Sequence, residues 1–318
     1  MTYSRQSINI DPQKETAKIC NRLKIDVFKK LKRRGAVIGI SGGIDSSVVL
    51  ALCVKAFGPQ KVIGIIMPEK DSSPENFPMV QKLVDKFEVQ TVVEDMTPAL
   101  YGFETYKRRD EAIQRIFPEY NMGYKTKIGL SQNILEKDTL NLFSLTIISP
   151  DGEQKTKRMP LSEYLQIVAA SNFKQRSRMS MLYYHAERQN YAVIGTANKN
   201  EHALGFFVKY GDGGADVMPI SHLFKTQIFQ LAEHLDIPEE IRSRTPTTDT
   251  YSAEQTQEEF FFRLPFDILD RIWHGWENGY STEEIASALD LGAEQVQNVI
   301  NDIKRKMQAT EYLRMPPL

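Results

Sequence analysis

The chain has 318 residues, 41% hydrophobic and 25% charged, the balance of a globular protein with a sizeable core. A formal net charge of −1 provides no global basic field for nucleic acid, and no apolar run is long enough to span a bilayer. The two cysteines, Cys20 and Cys53, are far apart and match no metal spacing, and the N-terminus lacks the apolar centre of a signal peptide, so the expectation is a cytoplasmic protein in a reducing compartment.

From Asp11 to Lys32 the residues Ile19, Leu23, Val27 and Leu31 recur at helical spacing, which predicts an amphipathic helix. Ala36 to Ile40 reads as a short buried strand, followed by the loop GISGGIDSS and an apolar helix from Ser47 to Phe57 that Gly58-Pro59 ends. Val62 to Met67 is a second buried strand, Asn76 to Lys86 a helix, Gln90 to Val93 a third strand and Tyr191 to Gly195 a fourth. Strands and helices alternating at these lengths predict an α/β fold, a mostly parallel sheet with right-handed crossovers and helices on both faces.

The alternation breaks between about residues 101 and 160. There LNLFSLTIISPDGEQKTKRMP reads as a β-hairpin turning at Asp151-Gly152, an insertion that could serve as a lid or an interface. Helices resume from Leu161 to Gln189. Residues 279–318 read as a helical tail after a main domain of residues 1–278. Its two short helices flank Leu291-Gly292, and Ser281 with Glu284 forms a capping box. The pattern is like a helix-turn-helix. The second helix, however, offers Glu294, Gln295, Gln297 and Asn298, with basic residues only at its end, so a packed helical pair is expected rather than a DNA reader.

A strand, a glycine loop and a helix in succession suit an anion, because loop and helix N–H groups converge on it and the helix dipole favours negative charge. No Gly-Lys-Ser/Thr closes a Walker A loop, and GISGG does not give the dinucleotide fingerprint. What remains is Ser41-Gly42-Gly43-x-Asp45-Ser46. It resembles the pyrophosphate loop of the ATP-pyrophosphatase superfamily, which implies ATP contacts along Gly39, Ile40, Ser41, Gly42, Gly43, Ile44, Asp45 and Ser46. A carboxylate beside an anion site repels it unless a cation lies between them, so Asp45 implies Mg²⁺.

Tyr191 to Asp249, with FVKYGDGGAD inside it, and NFKQRSRM at residues 172–179 are similar to the ammonia-dependent NAD⁺ synthetase family in order, spacing and identity. The resemblance covers roughly two thirds of the chain. It implies a Rossmann-like fold of the adenine nucleotide alpha hydrolase type and a homodimer. It further implies that Thr196, Lys225 and Thr247 contact ATP, that Glu201 joins Asp45 on Mg²⁺, and that Arg176, Lys209 and Asp216 contact the dinucleotide substrate. Asp212 matches a residue assigned to handling ammonia, since a carboxylate can bind ammonium and accept its proton; an ordinary Asp-Gly turn is the other reading of it. Asp45, Asp212 and Lys225 would then carry the chemistry. ATP would adenylate the nicotinate carboxylate of deamido-NAD⁺, and ammonia would displace AMP to give NAD⁺, an acid–ammonia ligase reaction.

The sequence has neither the cysteine pair of thiolating superfamily members nor a glutaminase domain, so nitrogen is expected as free ammonia or from a partner. It departs from the compact family form in its insertion, in its tail, and in Tyr312-Leu313 where a His-Lys pair would stand, with Arg314 next door. Those departures leave two other readings open. One is an adenylating amide ligase for a different carboxylate; the other is a nucleotide-binding regulator that reads DNA through its tail.

Overall fold

The computed structural model describes residues 2–73, 76–130, 143–247, 251–253 and 255–317. Thr248, Asp249 and residues 131–142 of the expected insertion lie outside the described residues. Helix α1 (Pro12–Lys24) is capped by Asp11, whose carboxylate accepts from the Lys14 N–H at 3.1 Å. The helix continues as a π-helical turn, Ile25–Lys30. Ile19, Leu23 and Val27 are buried as the spacing predicts, but Leu31 is 38% exposed. Its N–H bonds back five residues to the Asp26 carbonyl, so the wider turn rotates Leu31 off the buried stripe.

Strand β1 (Ala36–Gly39) leads through the loop into α2 (Ile44–Phe57). Then come β2 (Val62–Ile66), α3 (Asn76–Phe87) and β3 (Gln90–Val93). Helix α4 (Thr97–Gly102) leads into the insertion, which holds α5 (Thr105–Ile116), β4 (Lys125–Leu130), β5 (Phe143–Ile148) and β6 (Gln154–Arg158). After it follow α6 (Leu161–Gln189), β7 (Ala192–Ile194), α7 (Lys199–Leu204), α8 (Lys225–His234) and α9 (Glu239–Arg242). The chain closes with α10 (Phe266–Glu277), α11 (Thr282–Leu289), α12 (Ala293–Ala309) and α13 (Glu311–Arg314).

The main sheet has the order β3-β2-β1-β7 and every pairing in it is parallel, with Ala36 opposite both Val62 and Ala192. Alternate residues serve the two faces. Ala36, Ile38, Val62 and Ile194 pack under α1, α2 and α8, while Val37, Ile63, Ile65 and Val193 pack under Met179, Leu182 and Ala186 of α6. A parallel sheet covered on both sides explains why these strands read as unbroken apolar runs.

The insertion is a three-stranded antiparallel sheet, β4-β5-β6, rather than a lone hairpin. The expected hairpin is β5-β6, which turns through Ser149–Glu153. The third strand is KTKIGL, whose lysines and glycine dilute the strand signal, although its inward-facing Thr126 and Ile128 are buried. Helix α6 has 29 residues and so spans about 43 Å at 1.5 Å per residue. Its N-terminal half carries Ile167 into the insertion's core with Ile128, Leu145 and Ile147, and its C-terminal half covers the main sheet. One rigid helix thereby fixes the insertion relative to the nucleotide half.

The tail forms the expected pair α11 and α12, with the Ser281–Glu284 capping box in place, but α12 runs for 17 residues and is not short. Its apolar face is buried with Tyr3, Ile8, Leu204, Phe224 and Trp273 in one continuous core, which places α10 and the tail on the body of the protein. Gly205 makes this docking possible. Its φ is +76°, and a Cβ there would lie 2.3 Å from Cβ of Thr310.

Candidate active site

Open α/β sheets bind ligands at the carboxyl ends of their strands. Here those ends open into a cavity of ≈ 910 Å³. The loop after β1 forms one wall. Gly42 takes φ +78°, which favours glycine, and Gly43 is the N-cap of α2 without a capping side chain. Helix geometry leaves the N–H groups of Ile44, Asp45 and Ser46 with no carbonyl one turn back, so they face the cavity as donors. The hydroxyls brace the turn. Ser46 Oγ and Ser47 Oγ each donate to the Gly43 carbonyl at 2.9 Å, and the Gly43 N–H donates to Ser41 Oγ at 3.2 Å. The helix begins at Ile44 and not at Ser47, so Asp45 and Ser46 occupy its first turn.

Asp45 is the hub. Its Oδ2 is ion-paired with Lys225 Nζ, and its Oδ1 accepts from Asn198 Nδ2 at 2.9 Å. Lys225 is 1% exposed, so it is the buried opposite of a free helix lysine. Asn198 caps α7: its side chain accepts from the Glu201 N–H at 3.0 Å while Glu201 Oε2 accepts from the Asn198 N–H at 3.1 Å. Glu201 Oε1 turns toward Gln257 Nε2 at 3.4 Å. Burial and the nearby Asp45 charge raise the Glu201 carboxyl to about 8, against the opposing pull of Lys225.

Thr196 lies on this cavity just past β7, and Thr247, bridged to Thr256, lies on it too. Arg176 and Lys209 reach it too, linked by a bond from Arg176 Nε to the Lys209 carbonyl at 3.1 Å. Lys209 Nζ is held by the tail, donating to the carbonyls of Tyr312 at 3.0 Å and Met315 at 2.9 Å. Arg314 does not turn toward the cavity. It donates to the carbonyls of His202 and Met307 and anchors the tail. Asp212 opens onto the cavity and accepts from the Val208 N–H at 2.9 Å. The surrounding protein raises its carboxyl to about 6, with Arg178 acting against the rise.

Asp216 is not brought to this cavity. Its carboxylate accepts from Tyr183 Oη at 3.0 Å and from the Val193 N–H at 2.8 Å, so it braces β7 against α6. It borders a second cleft, of ≈ 580 Å³, between α1 and the segment 216–222.

Several residues of and behind the cavity escaped the sequence. Asn198 left a signal, the N-x-x-E cap in NKNE, although nothing local says that its amide reaches Asp45. Ile128 and Phe143 of the insertion, Tyr164 of α6, Tyr251 and Phe260 form an apolar wall of the same cavity, with Phe143 stacked on Tyr164 at 4.6 Å between ring centroids. Behind it Lys174 of α6 is buried between Glu69 (3.0 Å) and Asp71 (2.5 Å), and Arg109 of α5 also pairs with Asp71. Those residues meet only through the fold.

A braced glycine loop on a helix N-terminus, an aspartate–lysine pair and a second carboxylate at the edge of a parallel sheet give the geometry of a nucleotide-using α/β enzyme. Comparison with known proteins narrows the class. The family model described as NAD synthase matches residues 15–126 and 140–317, passing over part of the insertion and running through the tail. The NH(3)-dependent NAD(+) synthetase of Rhizobium meliloti (strain 1021) is 48% identical over 317 residues, covering 100% of this chain and 94% of that protein. In fold, the chain is similar to the NH3-dependent NAD synthetase from Campylobacter jejuni (TM-score 0.62, 24% identity, 97% of this chain and 99% of that one). It is likewise similar to the NMN synthetase from Francisella tularensis (TM-score 0.65, 23% identity, 97% and 98%). This chain belongs to the NAD synthase family.

Proposed function

We propose that the ≈ 910 Å³ cavity carries out the family's reaction, NH3-dependent NAD⁺ synthesis, and that the chain is an ATP-dependent ligase of NAD biosynthesis. The carboxylate of deamido-NAD⁺ attacks the α-phosphorus of ATP, and pyrophosphate leaves toward the N–H groups of Ile44, Asp45 and Ser46. Lys225 offsets the charge that develops on the leaving oxygens. Ammonia then attacks the acyl carbon, AMP leaves, and the Asp212 carboxylate takes the proton that the new amide nitrogen sheds. Arg176 and Lys209 orient the acceptor. The aromatic wall excludes water, which would otherwise hydrolyse the acyl adenylate.

Asp45 and Glu201 fit Mg²⁺. They are hard oxygen donors at one rim of the phosphate site, and Glu201 sits under the repulsion of Asp45, which a cation would relieve. The ion would neutralise phosphate charge there. Both carboxylates are engaged without it, Asp45 with Lys225 and Asn198, and Glu201 with Gln257 and the Asn198 N–H.

The observation that carries this reading is the meeting of Lys225 and Asp45 in an ion pair at the N-terminus of α2, across 180 residues of sequence. The test supplies the full chain with ATP, magnesium, ammonia and deamido-NAD⁺ and follows AMP, pyrophosphate and NAD⁺. Equal amounts of the three products are expected. Formation of ADP and orthophosphate, or turnover only when nicotinate mononucleotide replaces the dinucleotide, would overturn it.

A further inference from the structure

Helix α8 begins at Lys225 behind Phe224, a residue with no side-chain acceptor to offer the helix's first N–H groups. Those donors are satisfied from elsewhere in the chain. The Lys225 N–H donates to Asn200 Oδ1 of α7 at 3.0 Å, and the Thr226 N–H donates to Asp270 Oδ2 of α10 at 2.8 Å. Asn200 Nδ2 closes the ring by donating to Asp270 Oδ1 at 2.5 Å. Asn200 and Asp270 are both fully buried, at 0% exposure. A buried carboxylate on a helix N-terminus is favoured by the dipole and satisfied by the donors it meets. It is also rigid, because each of its oxygens is engaged.

We infer that Asp270 is a positioning residue for catalysis: through Asn200 and the first turn of α8 it fixes where Lys225 presents its ammonium to Asp45 and the phosphate loop. Three facts support this beyond simple stability. The ring is built on the backbone of Lys225 itself, so any shift of Asp270 moves the root of that side chain. Asn198 caps α7 and Asn200 and Glu201 lie in its first turn, so the ring, the Asp45 contact and the cavity carboxylate share one support. Finally, Lys225 Nζ lies 5.6 Å from the ring centroid of Phe266, the first residue of the helix that carries Asp270, so α10 guides both ends of the lysine.

The inference rests on the proposed reaction at this cavity, and the test separates the two. Wild-type enzyme, Asp270→Asn and Asn200→Ala are compared in AMP release with ATP, magnesium, ammonia and deamido-NAD⁺, beside calorimetric melting and KM for each substrate. Asp270→Asn keeps the shape and removes one of the two acceptors. A loss of about 100-fold in kcat, the scale of a ~1 Å misplacement, with KM for deamido-NAD⁺ within about 3-fold of wild type, is expected in both variants. Folded variants with wild-type kcat and only a lowered melting temperature would overturn the positioning role. If Asp270→Asn does not fold, Asn200→Ala alone decides, because it leaves the carboxylate in place. Absence of wild-type turnover would instead overturn the proposed reaction.

Discussion

The two ends of the cavity are built differently. At the end proposed for phosphate, contiguous short segments supply the parts: the loop after β1, the first turn of α2, and the first turns of α7 and α8. Backbone N–H groups and the paired side chains of Asp45, Lys225 and Asn198 fix it. At the other end, the wall comes from residues scattered between Ile128 and Tyr312, and its polar features include Arg176 and Lys209, the latter held by tail carbonyls. Phosphate is a common, small, highly charged target that a local turn can hold. An acceptor is large and particular, and its enclosure needs several layers of the fold.

That contrast can be broken most sharply at its charged hub. Asp45→Asn keeps the size of the side chain and its link to Asn198 while removing the charge paired with Lys225. A fall of about 1,000-fold in AMP release, with a melting temperature close to wild type, is expected. Normal turnover would exclude Asp45 from both the metal and the phosphate chemistry.

Removing residues 311–318 releases Lys209 from its two carbonyls and opens the far wall. The expected effect is a rise of about 10-fold in KM for deamido-NAD⁺, with KM for ATP unchanged, since neither the loop nor α8 is touched. A parallel rise in both constants would show that the two ends do not act separately.

Asp212 gives a pH signature. Its carboxyl is raised to about 6, so below that value the group is protonated and can neither bind ammonium nor accept a proton. The ratio of wild-type to Asp212→Asn kcat/KM for ammonia is expected to rise as pH increases through about 6 and then level off. Taking the ratio removes the ionisation of ammonia itself. A ratio flat from pH 5 to 8 leaves Asp212 as a turn residue.

The smallest effect is on stability. Glu201 is raised from 4.5 to about 8 by burial and Asp45, so between those values the folded chain keeps a proton that the unfolded chain has released. Folding is therefore favoured at the lower end of this window and loses that contribution as pH rises through about 8. Glu201→Gln is expected to flatten the decline in melting temperature between pH 6 and 9 in magnesium-free buffer. An equally steep decline in the variant would place the titrating group elsewhere.

The glycine loop was legible because its requirements are local. Glycines that permit the turn, serines that brace it and an aspartate in the first helical turn all occur within eight residues, Gly39 to Ser46. The central strands were legible because strands buried on both faces read as apolar runs, while Gln90 to Val93, a half-exposed edge strand, was legible from its β-branched Thr91, Val92 and Val93. The third strand of the insertion was missed because an edge strand rich in lysine carries little apolar signal. Leu31 was misplaced because one widened turn breaks helical periodicity.

By itself, then, the sequence determined the parallel α/β frame, the glycine loop between strand and helix, and the family, since backbone conformation and hydrophobic period are written residue by residue. Only the tertiary structure decided that Lys225 is buried against Asp45, that Asp270 caps a helix 44 residues away, that Asp216 faces a different cleft, and that the tail holds Lys209. Those are pairings across the fold, set by which surfaces α6, α7 and α10 bring together, and no local window of sequence contains both partners.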